Sequence, residues 1–261
     1  MVARRRERPG RPTARPARGG GRAGGLGVNA PLRRLLRAID RKAGAWPTEL
    51  HPAWVDAAAA RLGPRAAAWC ARVPPRRHAA LLEHTYGLVW PDLAEFREPA
   101  HRLALLDRPS LLKVLATCAL DGRRDSVRRS VGRVVRDLLI EGIGESAYER
   151  VLDGPTRGLQ AAEPLGAVEA NPERLAADGF RALCSQAAWR HPTLITMVRL
   201  CLPPGVSADA VPAAPSPRGA DRVIDRLPDY FPELAWLFGS DMDRALSVSR
   251  TGSSAPMTSP H

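Results

Sequence analysis

Apolar side chains recur along this chain with the period of a helix, and no comparable alternating stretch argues for a strand. Over Pro31–Lys42, Leu32, Leu35, Leu36 and Ile39 stand opposite Arg33, Arg34, Arg37 and Arg41, which predicts a basic amphipathic helix over 31–45. The Ala-rich run Pro52–Val73 reads as two helices divided at Gly63-Pro64, a natural stop and restart. Arg76–Leu88 continues the pattern, and Pro99–Leu106 is a short apolar turn pair. Ser110 is placed to cap a stripe of Leu111, Leu112, Leu115, Cys118 and Ala119 that ends near Asp121-Gly122. One helix is predicted over Asp125–Gly142, where Val127, Val131, Val134, Val135, Leu138 and Leu139 share a face. Gly144–Leu152 starts another, with Glu145 at the positive end of its dipole. Asn171-Pro172 opens a helix through about Arg190, with Leu175, Ala176, Phe180 and Leu183 on one side, and His191-Pro192 restarts it into Thr193–Leu202. The expected fold class is therefore all-α, an irregular multi-helix domain over 46–204.

Both ends depart from this pattern. Residues 1–30 mix Arg, Gly and Pro with almost no large apolar side chains, so a disordered basic arm is expected. Residues 203–222 form a Pro/Ala/Ser linker expected to stay extended and mobile. The Pro-rich tail 205–261 then carries one apolar island over 223–238, containing Ile224, Leu227, Tyr230, Phe231, Leu234, Trp236, Leu237 and Phe238. Such an island is either a segment folded onto the domain or one that folds on a partner. The sequence leaves both open. For the basic helix at 31–45, packing of its apolar stripe on the domain is favoured over lying on an anionic membrane surface, because tertiary contact is what stabilises so short a helix.

Charge sharpens the picture by its location. The chain has 39 Lys+Arg against 27 Asp+Glu, a formal net charge of +12. Residues 1–44 hold 13 basic and 2 acidic side chains, leaving 26 and 25, a net of +1, for residues 45–261. A protein that tracks phosphates needs positive charge clustered on its folded surface, so general nucleic-acid binding by the body is disfavoured. Only Lys42 and Lys113 are lysines; the wealth of Arg, Ala, Gly and Pro fits GC-rich coding better than RNA binding. With no apolar run of about 18 residues and no secretory signal behind Arg4, Arg5 and Arg6, a cytoplasmic location is expected. The dispersed Cys70, Cys118, Cys184 and Cys201 read as reduced core thiols.

Catalysis needs convergent groups, and no familiar constellation stands out. The chain holds no GxxxxGK[ST], GxSxG, HExxH or paired CxxC, and Gly19-Gly20-Gly21 lies without a preceding strand. His78 and Glu83-His84 are spaced so that both rings do not readily face one metal. Asp121, Asp125, Asp137 and Glu141 lie among Arg128, Arg133 and Arg136, and solvated ion pairs account for them. Trp46, Trp54, Trp69, Trp90 and Trp189 fall beside apolar positions, which suits core anchors better than stacking platforms. No catalytic residue, metal ligand or cofactor site is expected.

Several segments together resemble a known family. His51-Pro-Ala-Trp54, the run Arg102-Leu-Ala-Leu-Leu-Asp-Arg-Pro-Ser-Leu-Leu112, Ile143-Gly-Glu-Ser-Ala-Tyr-Glu-Arg-Val-Leu152 and Met197-Val-Arg-Leu-Cys-Leu-Pro203 are similar, in order and character, to the SctK family over about residues 46–204. These are accessory proteins of bacterial type III secretion systems, and the likeness is to the Hrp lineage of plant-associated bacteria. The resemblance implies a mainly helical, non-enzymatic component of the sorting platform at the cytoplasmic face of the inner membrane. It further implies a link between an SctD-like inner-membrane ring and an SctQ-like C-ring protein, and indirectly to SctL and the export ATPase. No nucleic acid is expected as partner, and membrane association would run through the other components. Candidate interaction residues are Tyr230, Phe231, Trp236 and Phe238 of the island, with His51 and Trp54. The competing reading is a nucleic-acid-binding regulatory protein acting through the Arg-rich arm, and a helical hydrolase or transferase with an unrecognised pocket is a third.

Overall fold

The structure is a computed structural model that describes residues 24–130, 132–156, 162–185, 189, 191–206 and 222–251, with side chains from residue 30 to residue 247. Every regular element among the described residues is helical, as the periodicity predicts. The elements are α1 (Gly24–Glu49), α2 (Pro52–Leu62), α3 (Pro64–Cys70), α4 (Ala79–Tyr86), α5 (Arg108–Gly122), α6 (Arg124–Arg129), α7 (Arg133–Ile143), α8 (Glu145–Asp153), α9 (Pro172–Cys184) and α10 (Pro192–Leu200). After the linker come α11 (Leu227–Tyr230), α12 (Ala235–Phe238) and α13 (Ser240–Thr251). Short 3₁₀ turns fill Pro75–His78, Leu93–Arg97, Pro99–Leu105 and Pro232–Leu234.

Helices α5 and α9 form the centre. Leu111, Val114, Leu115, Cys118 and Leu120 of α5 are buried against Leu175, Ala176, Phe180 and Leu183 of α9. Their backbones meet at Gly179, where an added Cβ would lie 1.8 Å from the Leu115 carbonyl oxygen. Only glycine permits that approach. Helices α7 and α8 close one side through Leu139, Ile143, Ala147 and Val151.

Several boundaries move for identifiable reasons. The cap of α5 is Asp107 rather than Ser110: its backbone is extended, Pro109 follows in the first turn, and its carboxylate accepts the Ser110 N–H at 2.8 Å. The helix predicted over Asp125–Gly142 is two, α6 and α7, interrupted at Gly132 with φ +155°. Ser130 replaces helical bonding there, donating to the Ser126 carbonyl and accepting from Leu165 N–H. The break also turns the stripe, so that Val134 is 67% exposed, while Val131 lies outside the described residues. Asn171 caps α9 as predicted, accepting from Arg174 N–H at 3.1 Å, but the helix stops at Cys184, short of Arg190.

At the ends the differences are larger. Helix α1 starts at Gly24, inside the stretch 1–30 expected to be disordered, and runs past 45 to Glu49. Its inner side is a stripe of Leu35, Ala38, Lys42 and Trp46, which packs on the domain as favoured, while Leu36 is left 43% exposed. Buried Lys42 is satisfied by Glu49 and the Leu106 carbonyl. The polar stretch from Ser240 onward, expected to be part of a flexible tail, contains α13. Met242, Ala245 and Leu246, spaced i, i+3, i+4, are buried, and α13 lies along α1. The extended linker falls largely outside the described residues, as does the arm before Gly24.

Candidate functional site

The island is docked onto the body, which answers the alternative left open above. Val223, Ile224, Leu227, Tyr230, Phe231, Leu234, Leu237 and Phe238 are all buried in the main core. Two polar fasteners hold it. The Tyr230 hydroxyl donates to Asp121 Oδ1 at 2.8 Å, and the same carboxylate is paired with Arg124. Burial, and then the Asp121 charge and hydrogen bond, push the Tyr230 phenol up to about 12. Asp121 is thus a buried anchor at 3% exposure, a departure from the solvated ion pairs expected, whereas Arg133–Asp137 at 3.6 Å is such a pair.

The second fastener is Arg102, whose side chain is fully buried in the Pro99–Leu105 turn. It donates to the carbonyls of Phe96 at 2.8 Å, Arg97 at 3.0 Å and Leu237 at 3.0 Å, and pairs with Asp243 at 2.6 Å. One guanidinium therefore ties the turn, the island and α13 together. Sequence reading missed this role, since nothing local to an arginine in an apolar run reveals acceptors 135 and 141 residues away.

His51 and Trp54 belong to a different joint. His51 Nδ1 caps α2 by accepting the Ala53 N–H at 3.3 Å, and the His51 backbone N–H donates to the Leu200 carbonyl at 2.9 Å. Trp54 Nε1 donates to the Leu202 carbonyl at 2.7 Å, and Tyr86 donates its hydroxyl to the Trp54 carbonyl at 2.7 Å. The His-Pro-x-Trp segment thereby locks α2 to the end of α10. Its neighbours form a second, smaller core of Trp46, Leu50, Ala58, Leu82 and Leu200, apart from the island's core. Of the six candidate interaction residues, Tyr230, Phe231 and Phe238 are buried, while His51, Trp54 and Trp236 keep part of their surface. Trp236 lies under Arg34 of α1, 4.4 Å from the guanidinium carbon to the ring centre.

An apolar groove that the sequence did not reveal opens beside the second core. It has a volume of about 510 Å³ and is bounded by Leu50, Val55, Ala59, Ala67, Cys70 and His78. Helices α2 and α3 form its wall, and α3 buries none of its residues. Leu62 and Trp69 of the same hairpin are 46% and 38% exposed. Cys70 and Asp56 both line the groove, and burial together with the Asp56 charge raises the Cys70 thiol. A raised thiol holds less of its reactive thiolate form at neutral pH. Among the described residues no group of three or more His, Cys, Asp or Glu side chains is arranged to hold a metal ion, and no helix is long and apolar enough to cross a membrane.

With this geometry established, comparison adds one finding. A family model described as bacterial type III secretion protein (HrpB4) matches residues 28–233, consistent with the likeness to the Hrp lineage of SctK. The match takes in most of α1 and most of the island as well as the segments that carried that likeness. No curated protein and no solved structure matches the chain.

Proposed function

Since this chain belongs to the HrpB4 family of bacterial type III secretion proteins, we propose that it is a non-enzymatic adaptor of the sorting platform. In this reading it works at the cytoplasmic face of the inner membrane, between an SctD-like ring component and an SctQ-like C-ring protein. Contact with SctL and the export ATPase is indirect. The family match over residues 28–233 carries the proposal. The α2–α3 hairpin supports it, because an apolar groove on a hairpin that also exposes Leu62 and Trp69 is the kind of surface that protein partners cover. The island is buried in the main core, with Trp236 keeping part of its surface, and Trp54 keeps part of its own beside the second core.

The test is co-purification from secreting cells with a tagged full-length chain and identification of the captured components. The proposal expects the SctQ-like and SctD-like proteins to be recovered, and the Leu62→Asp/Trp69→Asp variant to lose at least one of them while keeping its helical content. Recovery of neither ring component contradicts it.

A further inference from the structure

We infer that the exposed arginine face of α1 is a docking site for the anionic headgroups of a phospholipid membrane. Arg33, Arg37 and Arg41 recur every four residues with Arg34 beside them, and all four are exposed. They bound a shallow concavity with Ala30. Among the described residues no ion pair engages Arg33, Arg37 or Arg41, and Asp40 is the single exposed carboxylate of the helix. The opposite side of α1 is fixed to the core through Leu35, Ala38 and Trp46, so the charges stand on a rigid support. Charge of the same sign continues in sequence, with eight arginines and one glutamate over residues 1–23.

Two polyanions have the chemistry to meet such a face, and the charge distribution favours the membrane. A nucleic-acid binder clusters its basic residues on the folded surface along the phosphate path, and that path runs beyond a single helix face. Here residues 45–261 carry a net of only +1, while the excess is confined to one short segment. A compact cluster of four to eight basic residues is what an anionic leaflet attracts, at about 1 kcal/mol for each residue held near it. Leu36, half-exposed beside the arginines, adds an apolar side chain at the same edge. The preference for a membrane also rests on the secretion-system reading above.

The experiment is flotation of the purified full-length protein with vesicles of pure phosphatidylcholine or of phosphatidylcholine with about one-third phosphatidylglycerol. Binding is expected to the anionic vesicles alone and to be lost in about 0.5 M salt, where screening is severe. The Arg33→Ala/Arg37→Ala/Arg41→Ala variant should partition on the order of a hundredfold more weakly, and the corresponding triple lysine variant should bind nearly as the native protein does. Equal binding of the alanine variant, equal binding to neutral vesicles, or stronger salt-matched binding to duplex DNA overturns the inference. Because no ring component is present in this assay, its failure leaves the adaptor reading standing, and failure of co-purification leaves the lipid result standing.

Discussion

The α5–α9 pair and the α2–α3 hairpin are both helix pairs, yet they are made for different purposes. In the first, large side chains are buried from two directions and Gly179 lets the backbones touch. In the second, alanine predominates, only Ala58 and Ala59 are buried, and Leu62 and Trp69 are left exposed. Apolar burial scales with area at about 25 cal/mol per Å², so the first pair stabilises the domain and the second contributes little to it. What the hairpin offers instead is apolar surface not yet covered.

That contrast can be broken at its strong end first. Replacing Arg102 with Ala strands three carbonyls and leaves a void, and should cost about 4 kcal/mol in denaturant unfolding. The loss should loosen α13 and the island before α5. Gly179→Ala should cost about 3 kcal/mol by forcing α5 and α9 apart, seen as a midpoint drop on the order of 10 °C. A substitution that costs less than about 1 kcal/mol there would mean the centre is not tightly packed.

Tyr230→Phe is a smaller probe of the island's attachment, with an expected cost of about 2 kcal/mol because Asp121 loses a buried donor. The phenol also predicts a pH dependence. Its folded pKa, about 12, lies above the ordinary value of 10.0, so its contribution is intact below about pH 10 and is lost as pH rises toward 12. Buried Cys201, pushed by burial up to about 11, adds a loss of the same sign from about pH 9 upward. Alkaline unfolding should therefore be steep in the native protein and shallower, though not absent, in Tyr230→Phe. Smallest of all, Leu62→Ser should change stability by no more than about 1 kcal/mol while weakening partner capture.

The contrast also marks what sequence can reveal. Period and caps made the helices legible: Gly63-Pro64 split α2 from α3, and Asn171-Pro172 opened α9. The break between α6 and α7 was hidden because the valine period runs on across it, and only Gly132 hinted at a conformation that other residues rarely take. Helix α13 was hidden because three buried positions are too few to stand out in a polar stretch. The four candidate residues of the island are large and apolar, a property shared by core and interface, and three of them, Tyr230, Phe231 and Phe238, are buried. The groove escaped notice because small alanines carry no signal of a cavity.

Hydrogen exchange of the full-length chain, alone and with the SctQ-like protein added, tests the account most directly. The account predicts that α5 and α9 exchange slowest in both states, and that α2–α3 exchanges fast alone and becomes protected on addition. A hairpin already as protected as α5 in the free protein, or one unchanged by saturating partner, would contradict it.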